Sequence, residues 1–240
     1  ELGYPIQVTD ANGHVTKMTY TSTAQLEEVT LPDGTTVKQE YDALDRLIKQ
    51  THSSGLVTED SYDAANRVGN KKDNQDLNET YTYDKAGNRL TLTNSLGEVT
   101  QYSYNSDNQL TKVVYADKTS ETFTYDVMGN VASSTDQEGK TKTYHYDQNG
   151  NLLKTVDHLK RETKYSYDAL NRVVTESDAD GNTSTYEYDV LGNLSKMTDA
   201  NGHSSSYGYD ANKKLVLYTD PNGQATAFKY DPLGRIIETV

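Results

Sequence analysis

The segment YDVLGNLSKMTDANGHSSSYG, residues 188–208, contains the pattern that decides the fold. It begins with Tyr188-Asp189 and runs up to the next tyrosine of the pattern, Tyr209, which follows 21 residues after Tyr188. The same spacing separates eleven tyrosines of the 240-residue chain, at positions 20, 41, 62, 83, 104, 125, 146, 167, 188, 209 and 230. A fixed period of this kind is the signature of a repeat protein, in which every unit adopts the same local structure.

We number each repeat from its tyrosine, which is position zero. Position one is Asp in nine copies, and Thr21 and Asn105 stand there in the other two. Position minus two is aromatic in the last eight copies, whereas the first three carry Met18, Gln39 and Asp60. Position six is aliphatic in ten of the eleven copies. Because side chains alternate across a strand, positions minus two and zero are predicted to share one face.

Each repeat also contains two turn signals. The first follows the tyrosine, as in Asp126-Val-Met-Gly129, and the second occupies positions eleven to fourteen, as in Asp199-Ala-Asn-Gly202. An Asp that begins a turn accepts hydrogen bonds from the following backbone amides, and Gly adopts positive φ without steric cost. The stretches between the turns are rich in Thr, Tyr, Val and Leu, so each repeat predicts one β-hairpin. The weaker copies that begin at Tyr20 and Tyr104 are expected to be hairpins with less typical turns.

The repeats together predict an all-β fold with almost no helix. Tandem 21-residue hairpins stacked edge to edge form one long antiparallel sheet of about 22 strands. A flat sheet of this width is unfavourable, because strands twist and open sheets beyond about ten strands curl or split. Since the repeat length is constant, the same small rotation recurs at every step, and we expect a curved sheet that winds as an open spiral.

The composition favours a thin structure over a thick apolar core. Only 33% of the residues are hydrophobic, and the aromatic residues are 20 Tyr and 2 Phe, with no Trp. Tyrosine packs its ring while keeping its hydroxyl in contact with water. The net charge of -13 argues against nucleic acid as a partner, because binding to phosphates needs clustered Lys and Arg. The absence of cysteine excludes disulfides and thiolate metal sites.

The repeats run through residues 1–240 without a linker or a change in composition. Leu2-Gly3 occupies the same repeat positions as Leu191-Gly192, and Val240 falls at position ten. Both ends therefore interrupt a repeat, and we expect about eleven units that are truncated within a repeat at each end. End strands without a neighbour carry a risk of self-association between molecules.

No arrangement of side chains in the sequence indicates catalysis. The five histidines share no metal-ligand spacing. The aspartates recur at equivalent positions, whereas a catalytic acid needs one special environment. We therefore predict no enzyme activity and no catalytic, metal or cofactor site, but a structural framework of repeated residues. That framework consists of Tyr41, Tyr62, Tyr83, Tyr104, Tyr125, Tyr146, Tyr167, Tyr188, Tyr209 and Tyr230, of Asp126, Asp147 and Asp189, and of Gly129, Gly150, Gly181, Gly192, Gly202 and Gly223.

The tyrosine rows have two interpretations. Cross-strand aromatic residues stabilise neighbouring hairpins by about 0.2–1 kcal/mol per pair, which makes the rows a structural ladder. Exposed aromatic rings beside carboxylates and amides also suit sugar recognition, so a carbohydrate-binding or adhesive surface is the alternative. The ladder predicts that Tyr146→Ala or Tyr167→Ala destabilises the adjacent repeats more than Lys142→Ala does. Equal melting curves for the three variants would count against it.

The pattern resembles the YD or Rhs repeat, as in Tyr144-His-Tyr-Asp147-Gln-Asn-Gly-Asn151-Leu and Tyr230-Asp-Pro-Leu-Gly-Arg235-Ile. The resemblance covers essentially the whole chain. This family includes bacterial Rhs and wall-associated polymorphic toxins, the B and C subunits of insecticidal toxin complexes, and animal teneurins. The resemblance implies a strip of hairpins that winds into a hollow shell around a C-terminal toxic domain, or that serves as an extracellular scaffold.

The resemblance also implies a function and a location. The chain would be a non-catalytic structural module whose partners are the remainder of the parent array and its cargo domain. Eleven units are too few to close a chamber, so encapsulation would belong to the parent protein. The first residues, ELGYPIQV, lack the basic and apolar regions of a signal peptide. A secreted or cell-surface location therefore follows from the resemblance alone.

Overall fold

The computed structural model describes residues 4–240. This part of the chain contains 23 β-strands and no helix, and the strands form one open antiparallel sheet. The all-β prediction is confirmed: β2 to β23 are the eleven predicted hairpins, and β1 is one strand more than expected. The predicted repeat position of Leu2-Gly3 lies outside the described residues. Within residues 4–240, no helix is long and apolar enough to span a membrane.

The chain divides into two compact units, residues 1–120 and 121–240. In the first unit, every strand from β1 to β11 pairs antiparallel with the next one in sequence. These strands are β1 Gln7–Thr9, β2 Val15–Tyr20, β3 Leu26–Thr30, β4 Thr36–Tyr41, β5 Leu47–His52, β6 Val57–Tyr62, β7 Val68–Asp73, β8 Asn78–Tyr83, β9 Arg89–Thr93, β10 Val99–Tyr104 and β11 Leu110–Val114.

The second unit continues the same pattern, and β12 to β23 also pair antiparallel in sequence order. The strands are β12 Ser120–Tyr125, β13 Val131–Thr135, β14 Thr141–Tyr146, β15 Leu152–Val156, β16 Glu162–Tyr167, β17 Val173–Ser177, β18 Thr183–Tyr188, β19 Leu194–Thr198, β20 Ser204–Tyr209, β21 Leu215–Thr219, β22 Ala225–Tyr230 and β23 Ile236–Thr239. Each even-numbered strand ends at the tyrosine of position zero.

Both turns of each repeat have the same backbone geometry. After Tyr146, the amide of Asp147 donates to the carbonyl of Asn151, and the amide of Gly150 donates to the carbonyl of Asp147. This is a three-residue loop that ends in a left-handed residue, one of the common hairpin connections. All eleven residues at position four and all eleven at position fourteen have positive φ. The regular turns fix the length of the strands and therefore the 21-residue period.

The weaker copies adopt the same turn. Ala24 and Asn108 occupy the left-handed position with φ of 68° and 62°, and their backbone hydrogen bonds match those of the other copies. The hairpins that begin at Tyr20 and Tyr104 are therefore typical in geometry, contrary to the expectation of less typical turns. The reason is that the turn depends on backbone amides that find acceptors. The side-chain oxygens of Thr21 and Asn105 accept from the amides of Gln25 and Gln109, as the Asp oxygen does in the other copies.

The sheet has almost no buried interior. Among the described residues, only Val113 and Thr155 are buried, each 6% exposed, and the other side chains are half-buried or exposed. The expected thin, water-contacted structure is confirmed. Stability must therefore come from the ladder of backbone hydrogen bonds and from contacts between neighbouring hairpins.

Candidate functional site

Most tyrosines of position zero connect their hairpin to the one before it. The hydroxyl of Tyr167 donates to the backbone carbonyl of Leu152, which is position six of the preceding repeat, at 2.9 Å. Leu152 lies at the bulge of the preceding hairpin, where the register shifts between His145 and Tyr146. All eleven hairpins have this shift before their tyrosine. The hydroxyl thus gives a donor to a carbonyl beside the bulge. The same bond joins Tyr41 to Leu26, Tyr62 to Leu47, Tyr83 to Val68, Tyr188 to Val173 and Tyr230 to Leu215.

Within the described residues, Tyr104, Tyr146 and Tyr209 do not make this inter-repeat bond. Burial raises the pKa of all three, as it raises that of Tyr167, so their phenols stay protonated at neutral pH.

Position minus two and position nine form cross-strand pairs on the same face as the position-zero tyrosines, which we name the aromatic face. Tyr102 lies opposite Val113, and Tyr144 lies opposite Thr155. These two partners are the buried residues among those that the structure describes, and each lies opposite an aromatic residue. Sequence reasoning missed position nine, whose residue changes from copy to copy without a common chemical class.

The aspartate of position one holds the first turn closed. The Oδ1 atom of Asp147 accepts bonds from the amides of Asn149 and Asn151 at 2.9 and 2.8 Å, and its Oδ2 atom accepts from the Asn151 side chain at 2.8 Å. These bonds hold the pKa of Asp147 below its ordinary 3.8, and the bond from the Asn151 side chain has the largest effect. Asp126 and Asp189 make the same three bonds with their own turns.

Position five was also missed by sequence reasoning, although its signal is present. It is Arg, Lys, Asn or Gln in all eleven copies, and each of these side chains carries an N–H donor. The Nε atom of Arg46 donates to Asp42 at 2.7 Å, and the guanidinium lies 4.6 Å from the ring centre of Tyr62 in the next repeat. A cation over an aromatic ring contributes about 0.5–1 kcal/mol at exposed sites. Arg67 with Tyr83, Arg172 with Tyr188 and Lys214 with Tyr230 repeat this stacking.

The framework glycines lie at the left-handed turn positions. Gly129, Gly150 and Gly192 occupy position four with φ of 88°, 83° and 84°. The other three occupy position fourteen. At both positions the left-handed backbone conformation costs energy for a residue with a side chain. Gly181, Gly202 and Gly223 have φ of 85°, 83° and 81°.

The aromatic face is interrupted in hairpins β4–β5 and β6–β7 of the first unit. Gln39 and Asp60 stand at position minus two, opposite Gln50 and Lys71. The Oδ1 atom of Asp60 is buried and, in the described part of the chain, has no hydrogen-bond partner. A depression of about 560 Å³ lies in this region. Four other charged residues that line it are paired, Lys49 with Glu40 at 3.2 Å and Lys72 with Glu59 at 2.7 Å.

The histidines do not form a common site. His14 and His203 contact the aspartates of their own turns, Asp10 and Asp199, at 3.0 and 3.2 Å, so these two rings belong to the turns. His145 lies exposed in β14, on the face opposite the aromatic one. Residues 4–240 contain no group of three His, Cys, Asp or Glu residues that would hold a metal ion.

The predicted stability comparison of Tyr146→Ala and Tyr167→Ala with Lys142→Ala needs a different reference variant. Lys142 was expected to lie outside the tyrosine ladder, but its Nζ atom is 5.5 Å from the ring centre of Tyr144. Its replacement would therefore disturb the aromatic face. His145, in the same strand on the opposite face, is the better reference.

Comparisons with known proteins agree with this geometry. The sequence profile of the teneurin YD-shell matches three overlapping segments, residues 12–135, 53–184 and 116–238. A search of the curated proteins found no match.

Three solved structures share the fold at low sequence identity. The TcdB2-TccC3 structure without its hypervariable C-terminal region has a TM-score of 0.66 and 14% identity, and the match covers 99% of this chain and 16% of that chain. The structure of TcdB2-TccC3 has a TM-score of 0.63 and 14% identity, with 95% and 17% covered. The Tc holotoxin pore of Photorhabdus luminescens has a TM-score of 0.60 and 17% identity, with 90% and 14% covered.

This chain therefore spans about a sixth of the length of the toxin chains that it matches. Each profile match covers more than half of the chain, and together they reach from residue 12 to residue 238 with the tyrosine period in register. On these grounds the chain belongs to the teneurin YD-shell family.

Proposed function

We propose that this chain is a non-catalytic segment of a shell wall that encloses or scaffolds a C-terminal toxin or other cargo in a secreted or cell-surface protein. Its membership in a structural repeat family supports the non-catalytic role. The single observation that carries the proposal is the bond from the tyrosine hydroxyl to the preceding repeat, as between Tyr167 and Leu152. Where it forms, this bond ties a hairpin to the preceding one, as a continuous wall requires.

The lengths of the matched proteins are consistent with a wall segment. The toxin chains are about six times as long as this chain, and one of the structures is described as being without its hypervariable C-terminal region. We propose that the parent of this array likewise contains further repeats and a cargo region. The constant hairpin step then winds the sheet into the enclosing wall.

Limited proteolysis of the complete parent protein tests the proposal. Its matched variant lacks residues 147–209, which are three whole repeats, so the hairpins on either side join in register. We expect the non-repeat region to resist trypsin in the intact protein and to be cut rapidly in the variant. Equal cleavage of that region in both proteins contradicts enclosure.

Glycan-array screening of the purified chain tests the carbohydrate-binding alternative. A structural wall segment shows no saturable binding to any sugar. Saturable binding that Tyr146→Ala abolishes would favour the adhesive function instead.

A further inference from the structure

Hairpin β20–β21 carries an aromatic residue on both strands at the cross-strand pair of positions minus two and nine. Tyr218 stands at position nine of this hairpin, whereas the other ten copies have Val, Gln, Lys, Leu, Ser, Thr, Glu or Met there. Its partner across the strands is Tyr207 at position minus two. The two ring centres are 5.4 Å apart, and the ring planes are inclined by 40°. The register of the strands therefore holds two phenol rings in contact.

A second pair of tyrosine rings is also in contact, but strand pairing does not hold it. The ring centres of Tyr4 and Tyr20 are 5.3 Å apart. Tyr4 precedes β1 and is 52% exposed. Tyr207 and Tyr218 are both half-buried, and each lies within a strand of one hairpin. A reaction that needs a lasting contact between two phenol rings is therefore expected in β20–β21.

The composition of the chain directs one-electron oxidation to tyrosine. The chain has 20 Tyr but no Trp and no Cys, which are the side chains that otherwise compete with tyrosine as one-electron donors. Its three Met undergo a different reaction, in which the sulfur gains an oxygen atom and becomes a sulfoxide. Phenoxyl radicals are therefore the expected product of one-electron oxidation, and two of them couple where their rings touch.

We propose that Tyr207 and Tyr218 are a site of oxidative cross-linking, at which a one-electron oxidant such as a peroxyl radical joins the two rings as dityrosine. Each phenol gives one electron to the oxidant and releases its hydroxyl proton to water. The two phenoxyl radicals form one carbon–carbon bond between the ring carbons next to the hydroxyl-bearing carbons. The hydrogen on each of these carbons then moves to the oxygen of its own ring, which restores both phenols. The product lacks two hydrogen atoms, and two equivalents of oxidant are reduced.

The cross-link ties β20 to β21 in a chain that has no cysteine and therefore no disulfide. Like a disulfide, it restricts the unfolded chain and so stabilises the hairpin that contains it. Tyr207 and Tyr218 are already paired across the strands, so the bond joins residues that the native register places opposite each other.

Photo-oxidation of the 240-residue chain by a ruthenium tris(bipyridine) complex with persulfate tests this site. Trypsin places Tyr207 and Tyr218 in separate peptides, residues 197–213 and 215–229. We expect mass spectrometry of the monomer band from a denaturing gel to show these two peptides joined, with the loss of two hydrogen atoms. The same oxidation in concentrated urea should give much less of the joined product, because the strands no longer hold the rings together.

Tyr207→Phe is the test variant, and Tyr209→Phe is the matched control. Tyr209 lies in the same strand and the same tryptic peptide, but its cross-strand partner is Leu215. Both variants lose one hydroxyl group and keep the ring, and circular dichroism verifies that both keep the strand content of the wild type. Tyr207→Phe should lose the joined peptides, and Tyr209→Phe should retain them.

Four results would overturn the proposal. They are a folded wild type without the joined peptides, an equal yield of them in urea, their persistence in Tyr207→Phe, and their equal loss in both variants. The monomer band excludes cross-links between molecules, so none of these results depends on association of the chain.

Discussion

Hairpins β6–β7 and β14–β15 share their turn and their bulge but not their aromatic face. In β6–β7 the pair at positions minus two and nine is Asp60 opposite Lys71, and in β14–β15 it is Tyr144 opposite Thr155. Thr155 is buried under its neighbours, whereas Asp60 leaves an unpartnered buried oxygen. The same backbone therefore forms on a polar pair and on an aromatic pair.

The polar hairpin has the longer ladder. Pairing between β6 and β7 extends to Thr58 and Asp73, one residue beyond the equivalent end of β14–β15 at Thr143 and Val156. Beyond it, the amide and the side chain of Asn74 bond the backbone of Val57. Additional backbone bonds thus accompany the loss of the aromatic contact. The comparison teaches that turns and backbone pairing specify the repeat, while the aromatic pair adds stability to it.

Tyr144→Asp gives the aromatic hairpin the side chain of the polar one, and we expect the largest effect from it. The change removes the ring that covers Thr155 and places a charge there, which should lower the free energy of unfolding by about 2–4 kcal/mol. Urea unfolding of the chain measures this loss. His145→Ala, in the same strand on the opposite face, should change the free energy of unfolding by no more than about 0.5 kcal/mol. Equal midpoints for the two variants would show that the aromatic pair adds no stability.

Asp60→Tyr makes the reverse change in the polar hairpin. A ring at position minus two removes the unpartnered carboxylate oxygen and adds an aromatic contact, so we expect a gain of about 1 kcal/mol. Slower hydrogen exchange of the β6 and β7 amides would report the gain locally. Ser61→Tyr adds the same ring on the opposite face and should give no such protection. A gain from both variants would contradict a specific role of the aromatic face.

Tyr167→Phe removes the hydroxyl that bonds the carbonyl of Leu152, while the ring remains. We expect a loss of about 0.5–1.5 kcal/mol, the usual contribution of one hydrogen bond. Tyr209→Phe is the matched control, because Tyr209 does not make this bond within the described residues. Thermal unfolding of both variants decides whether the inter-repeat bond contributes, and equal losses would refute its contribution.

The smallest effect at neutral pH is expected from Glu162→Gln. Hydrogen bonds from Lys154 at 2.8 Å and Lys164 at 3.0 Å lower the pKa of Glu162 from its ordinary 4.5 to about 2. A carboxyl group whose pKa is lower in the folded state stabilises the fold fully above pH 4.5. That stabilisation is lost as the pH falls from 4.5 to about 2.

The pH dependence of urea unfolding measures this contribution. The wild type should lose more stability than Glu162→Gln between pH 4.5 and about 2, and the loss is small because the ion pairs are exposed. The control Glu98→Gln keeps an oxygen that accepts the bond of Asn94 and should follow the wild-type curve. Parallel curves for all three proteins would show that the ion pairs of Glu162 do not contribute to stability.

The sequence by itself determined the hairpin, the period, the two turns and the face that carries the aromatic residues. Each of these follows from local rules: Asp bonds the amides that follow it, left-handed residues end the loops, and side chains alternate along a strand. Position five was readable as well, since all eleven copies carry an N–H donor there.

The tertiary structure decided which groups meet between repeats. Leu152 and Tyr167 are 15 residues apart, and their bond forms only because β15 and β16 of neighbouring hairpins lie side by side. Arg172 likewise reaches the ring of Tyr188 only because the hairpins pair side by side. The burial of Val113 and Thr155 has the same origin. The turns set the register within each hairpin, but which side chains of neighbouring hairpins meet depends on the packing of the assembled sheet, which local rules do not specify.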